Sequence, residues 1–237
     1  MSTPKQENPF LNLAFNIIIP VIILNKMTKY WGEDGPLIAL LVALSFPIIY
    51  GIYDYITRKK KNVLSLLGVI NVLMTGGLAL FHVEGFWFAV KEALFPLIIG
   101  VAVFISAYTK KPLVQFMMAD SHVIDFDKIK ERLTLNNKEG EYKLHIKNST
   151  KLLAVSFFLS SLLNFVLARR IFIEIDPSLS EIQHSAGLNE QIAQMTWLSF
   201  VVIVLPLMIF MVGILWLVFS GLKKLTQLDV NDILLHK

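Results

Sequence analysis

The sequence predicts an all-α, polytopic integral membrane bundle of about six transmembrane helices, with both termini cytoplasmic. Three observations lead there: the composition, the lengths of the apolar runs, and the uneven placement of Lys and Arg. Of 237 residues, 55% are hydrophobic and only 17% are charged, with a mean hydropathy of +0.61. Soluble domains carry roughly 25% charged residues. The long apolar runs also lack the polar face that a helix in water has to show.

A hydrocarbon core about 30 Å thick takes roughly 20 apolar residues in a helix, and six runs approach that length. The first, residues 10–24, is short and holds Asn12, Asn16 and Pro20. The "LNKMTKYWGEDG" that follows has no small-x-small cleavage site, so this run reads as a retained helix rather than a signal peptide. Residues 36–55, 63–81 and 86–108 give the next three spans, and residues 152–168 the fifth. Residues 195–222 give the sixth, which is long enough to tilt or to continue beyond the membrane. Residues 110–151 form a cytoplasmic connection, and residues 169–194 an acidic extracytoplasmic loop.

Basic residues accumulate on the cytoplasmic side of a membrane. With six spans, one side receives Lys5, the "TRKKK" turn, the long connection and the C-terminal tail. That side holds 17 of the 22 Lys and Arg residues, which orients both termini inward. The same placement explains a net charge of +4 without nucleic acid, because the charges sit in turns beside the bilayer and no nucleic-acid-binding signature accompanies them.

In the connection, "SHVIDFDKIKERL" places Ser121 as a cap, Asp125 and Asp127 early, and Lys128, Lys130 and Arg132 late, matching the helix dipole. Phe126, Ile129 and Leu133 share a face, so a short amphipathic helix should lie on the membrane surface or against the bundle. A second helix should lead from there into the fifth span.

Small and polar residues recur along the spans. Ala39, Ala43, Pro47 and Gly51 lie four apart, as do Ser156, Ser160, Asn164 and Ala168. Ser199, Pro206, Gly213 and Ser220 lie seven apart. Such faces let helix backbones approach closely. A sharper possibility is a polar pathway or binding site built from Asn12, Asn16, Asn71, Lys91, Glu92 and Asn164, with the first helix kinked or broken at Pro20.

Lys91 lies about five residues into the fourth span, roughly 8 Å from its start at 1.5 Å per residue. From there its stem can reach back to the headgroups, while Trp87 and Phe88 resemble an interfacial aromatic belt. Glu92 points about 100° away around the helix, so the two adjacent charges are not expected to form a ready-made ion pair. An ionisable group within a span is otherwise a candidate for function.

Signatures of catalysis are scarce. The five histidines are dispersed, with no HExxH, and no phosphate-cradling GxxxxGK[ST] is present. Asp120, His122, Asp125 and Asp127 are dense but match no standard ligand spacing, so they read as a solvated, partly helical loop, and no metal or cofactor is expected. Cysteine is absent, which excludes disulfides and cysteine-ligated metals.

Several stretches carry a resemblance. "NPFLNLAFNIIIPVIILNK", "MTGGLALF", "FWFAVKEALFPLIIG", "TKKPLVQ" and "LNFVLARR" resemble bacterial multi-pass inner-membrane proteins often named automatically as transporters. The part from "GGLALF" through "KKPLVQ" is similar to the intracellular septation protein A family. The resemblance implies a Gram-negative inner-membrane protein associated with envelope integrity, septation or peptidoglycan synthesis, and it carries no known active site. Lys91, Lys110, Lys111 and Pro112 match that pattern without an assigned role. The longer connection and the acidic loop depart from it.

The expectation is therefore a non-enzymatic scaffold in the inner membrane, with the lipid bilayer, envelope-synthesis or division proteins and a second copy of the chain as partners. The alternative is a small transporter or channel working as a dimer, since the transport unit of a major-facilitator transporter has two six-helix halves. An intramembrane enzyme is disfavoured because no nucleophile and base pair by spacing.

Overall fold

The computed structural model describes residues 11, 14–27, 34–58, 70, 73–78, 81, 85–120 and 124–233. Its regular elements are helical, and no strand occurs among the described residues. In chain order the helices are α1 (Ala14–Lys26), α2 (Gly35–Arg58), α3 (Phe86–Ser106), α4 (Leu113–Asp120), α5 (Phe126–Leu135), α6 (Glu139–Ile171), α7 (Glu181–Thr226) and α8 (Val230–Ile233). A short helical stretch covers residues 73–78.

Four of these helices, α2, α3, α6 and α7, are long and apolar enough to cross a membrane. Their outward surfaces explain why they need one. Leu94, Leu97, Ile98, Val101 and Ile105 on α3, and Met208, Ile209, Val212 and Trp216 on α7, are exposed, and an apolar band of this kind is stable only against hydrocarbon. These apolar helices are compatible with a membrane protein.

The expected third span, residues 63–81, falls largely outside the described residues, Asn71 with it. The expected first span becomes α1, whose 13 residues rise about 20 Å at 1.5 Å each. That is short of a hydrocarbon core about 30 Å thick.

Prolines shape two of the helices. A π-helical segment, Ala14–Ile18, opens α1 just before Pro20, and another, Phe200–Val204, interrupts α7 just before Pro206. Proline returns no N–H to the preceding turn and its ring crowds the carbonyl four residues back. Widening that turn to π geometry accommodates the crowding without breaking the helix. The kink or break anticipated at Pro20 therefore takes the form of a π turn.

Helix bounds beyond the membrane differ from the sequence reading in three places. The fifth span extends backwards into a single 33-residue helix, α6, with Glu139 and Glu141 in its first turn and Arg169 and Arg170 in its last, where each sign suits the dipole. The acidic loop shrinks because α7 already begins at Glu181, where Ser180 and Gln183 form a reciprocal capping box. The amphipathic helix α5 is capped by Asp125, whose carboxylate accepts from the Lys128 N–H at 2.9 Å, and Ser121 lies outside the described residues.

The described residues divide into two compact units, each with its own core. The first comprises Met1–Glu92 and Asn164–Val202. Its centre is the face-to-face stack of Phe88 and Phe172, with ring centroids 4.3 Å apart. Phe88 is wholly buried, so of the expected aromatic belt only Trp87 faces outward. Ala39 and Ala43 are fully buried in the same core, as a close-packing face requires.

Asn189 on α7 donates from Nδ2 to the Pro36 carbonyl on α2 at 2.8 Å, and Gln191 donates to the Ile173 carbonyl at 3.1 Å. Gly85 enters α3 at φ +59°, a left-handed conformation that glycine adopts without a Cβ penalty.

The second unit comprises Ala93–Leu163 and Ile203–Lys237. Gly100 on α3 lets Phe158 of α6 approach so closely that an added Cβ would lie 2.8 Å from its ring. Near Pro96, the Ser161 hydroxyl donates to the Ala93 carbonyl at 2.8 Å and ties α6 to α3. Ile129 and Leu133 of α5 are buried in a core with Ile214, Val218 and Leu222 of α7. The amphipathic helix thus lies against the bundle.

The chain then folds back. Gln227, at φ 58°, caps α7, and α8 brings the Ile233 carbonyl to the Asp125 N–H at 2.8 Å. Lys223, 2.6 Å from Asp229, holds that carboxyl below its ordinary range.

One expected packing face is reversed. Pro206, Gly213 and Ser220 are exposed, and a Cβ on Gly213 would meet nothing within 4 Å. In hydrocarbon a small residue incurs no penalty for facing outward, because lipid tails are as apolar as leucine.

Candidate functional site

Two constellations stand out, one in each unit. The first surrounds Lys91, which is 2% exposed. Its Nζ donates to the Thr75 hydroxyl at 2.6 Å and to Glu92 Oε1 at 2.6 Å, and the Glu92 side chain is 18% exposed. The neighbouring charges do pair, against the sequence expectation. The 100° step separates Cβ directions, but a four-carbon stem and a flexible carboxylate can both swing into the same seam.

Nor does Lys91 reach back to an interface, since it is sealed against Thr75. The position of Thr75 follows from its neighbour Gly76, where a Cβ would come within 2.6 Å of Leu44 on α2. Thr75 was not among the sequence candidates, although in the sequence it follows Asn71 by four positions, the spacing of one helical turn.

Of the other polar candidates, Asn16 on α1 and Asn164 on α6 are half-buried, whereas Asn12 and Asn71 lie outside the described residues. No group of three or more His, Asp or Glu side chains that could hold a metal occurs among the described residues.

The second constellation is a cavity of about 660 Å³ formed by the turn that follows α3, by α4 and α5, and by the start of α6. Phe126, Ile129, Leu133 and Pro112 give it an apolar lining. Lys110, Lys130, Lys143 and Lys147 give it four cations. Glu139 is the acid in the lining, and its Oε1 accepts from the Thr134 hydroxyl at 2.8 Å. Lys147 Nζ stands 4.5 Å from the centre of the Tyr108 ring, and Lys151 Nζ 5.1 Å from it, so two ammonium groups share one aromatic ring.

Tyr142 also lines the cavity. It is 7% exposed, and its hydroxyl is buried without a hydrogen-bond partner among the described residues. Such a group retains its desolvation cost until an acceptor arrives.

The structure gathers Lys110 and Pro112 into this cavity, and it places Lys111 on a smaller one of about 330 Å³ beside Gln115 and Phe126. Sequence reading missed Tyr142, Lys143 and Lys147. A signal was available, because Lys143, Lys147 and Lys151 recur every four residues while Tyr142 and Ile146 precede them on the buried face. Comparison with protein-family models, curated proteins and solved structures finds no match. Function therefore has to be argued from the residues themselves.

Proposed function

We propose that this chain is a non-enzymatic, multi-pass protein of a bacterial inner membrane that supports cell-envelope integrity or septation by holding partner proteins or lipids. Six spans with both termini in the cytoplasm fit the distribution of basic residues, which places the connection between Lys110 and Lys151 on the inner surface.

The observation that carries this reading is the organised, cation-rich end of the second unit. There the Asp125 N–H to Ile233 carbonyl bond joins the start of α5 to α8, and the Asn136 amide to Leu225 carbonyl bond joins the end of α5 to α7. A connection serving only as a tether has no need of a buried helix face or an open cavity. The resemblance of the "FWFAVKEALFPLIIG" and "TKKPLVQ" stretches to envelope and septation proteins supports the same reading.

The test is affinity capture of the full chain from detergent-solubilised membranes, combined with deletion of its gene. Recovery of envelope-synthesis or division proteins, together with a misshapen or permeable envelope in the deletion strain, is the expected result. A normal envelope and capture of no such protein would overturn the proposal.

A second reading, a small transporter acting as a dimer, rests on the buried pair of Lys91 and Glu92, since ionisable groups in spans mark ion and substrate pathways. Proteoliposomes that move a solute with the wild-type chain but not with Lys91→Ala or Glu92→Ala would favour it. No movement of any solute, with both variants behaving like wild type in cells, would remove it.

A further inference from the structure

From the cavity between the turn that follows α3, α5 and α6 we infer a binding site for a phosphate-bearing anion, filled in the membrane by the headgroup of an anionic phospholipid. The inference rests on the scaffold reading and names what its cation-rich end holds.

Charge is the first argument. Lys110, Lys130, Lys143 and Lys147 converge on one cavity in which Glu139, itself engaged by Thr134, is the single acid among the described lining residues. Like charges gathered around a concave surface raise the local concentration of an anion. The Tyr108 ring, which lines the cavity, attracts the ammonium groups of Lys147 and Lys151.

The second argument is Tyr142, which lines the cavity and whose buried hydroxyl has no hydrogen-bond partner among the described residues. An unsatisfied O–H donor on a residue that shares a cavity with four ammonium groups is suited by an acceptor that is also an anion, and a phosphate oxygen is both. Glu139, the acid in the described lining, is engaged by the Thr134 hydroxyl.

Shape and position make the third. A volume of about 660 Å³ lies within the usual range of small-ligand sites. Tyr108, in the wall, sits two residues beyond the last residue of the membrane-crossing helix α3, at the level of the headgroups. The apolar lining of Phe126, Ile129 and Leu133 suits the glycerol backbone and upper acyl carbons, which a free phosphate lacks.

The experiment uses the full chain in a neutral detergent, titrated with water-soluble dihexanoyl phosphatidylglycerol, dihexanoyl phosphatidylcholine or inorganic phosphate. Binding is read by isothermal calorimetry and thermal midpoint. Saturable binding of the phosphatidylglycerol, with the phosphatidylcholine at least tenfold weaker, is expected. The double variant K143Q/K147Q should weaken it roughly thirtyfold, taking about 1 kcal/mol per lysine and 1.4 kcal/mol per tenfold.

Y142F should weaken phosphatidylglycerol binding severalfold while leaving the ligand-free thermal midpoint unchanged or raised, an outcome that a merely structural tyrosine would not give. Inorganic phosphate binding as tightly as the phosphatidylglycerol would keep the anion site but overturn the lipid assignment. Equal binding of the two lipids, or no loss in K143Q/K147Q, would overturn the site altogether. None of these results depends on the deletion phenotype or on captured proteins, so the scaffold reading and the lipid site fail separately.

Discussion

Asn189 and Pro36 are joined across 153 positions of sequence by a buried 2.8 Å hydrogen bond, from the side-chain amide of α7 to the first turn of α2. Because Asn189 is 2% exposed, Asn189→Ala exchanges a donor for an empty space and leaves the carbonyl with one acceptor site unmet. The expected loss is about 1 to 3 kcal/mol. Thermal unfolding in detergent checks it, and an unchanged midpoint would refute it.

Lys91 and Glu92 should behave as a unit. Removing one partner of a buried pair costs about 3 to 5 kcal/mol because the other charge is left stranded. Glu92→Ala, which strands the 2%-exposed lysine, should be worse than Lys91→Ala, which strands a partly exposed carboxylate. The double replacement Lys91→Met with Glu92→Gln should be milder than either. A double-mutant cycle on unfolding midpoints measures the coupling, and strict additivity would contradict the pairing.

Gly221 has no room for a methyl group, because a Cβ there would overlap the His145 imidazole, which itself contacts the Val218 carbonyl at 3.2 Å. Gly221→Ala should destabilise the second unit by about 1 to 3 kcal/mol, the usual range for overpacking. Adding His145→Ala should recover part of that loss. Failure of the second substitution to help would show that the obstacle lies elsewhere.

The Asp125 carboxylate satisfies an otherwise orphan N–H at the start of α5. Asp125→Ala should cost about 0.5 to 2 kcal/mol, and Asp125→Asn much less, since asparagine caps nearly as well. Hydrogen exchange at the Lys128 amide provides the local readout and should accelerate in the alanine variant alone.

Much of the fold was legible because span length and residue chemistry are local. The apolar runs ending in Tyr55 and beginning at Phe86 reappear in α2 and α3, and Ala39 with Ala43 packs as their spacing suggests. The π turns before Pro20 and Pro206 were visible only as prolines, because the response of a helix to a missing donor depends on what surrounds it.

Periodicity misled where solvent gives no preference. Gly213 and Ser220 share a face with Ser199 and Pro206, yet nothing in a hydrocarbon environment forces small residues inward. A helical wheel likewise cannot foresee that Lys91 bends onto Glu92, since side-chain reach exceeds the angular step between their Cβ atoms. The cavity was hidden for another reason: its walls come from three separate helices, and only their packing brings Tyr142 opposite Lys110.

The backbone bond from Asp125 to Ile233 has a practical corollary. With α5 buried against α7 on one side and the returning tail clasped to its start, a nick at the exposed Asn137 turn would leave the fragments interlocked. Co-expressed halves split at that turn should reassemble into a complementing pair, which offers a way to label either half on its own.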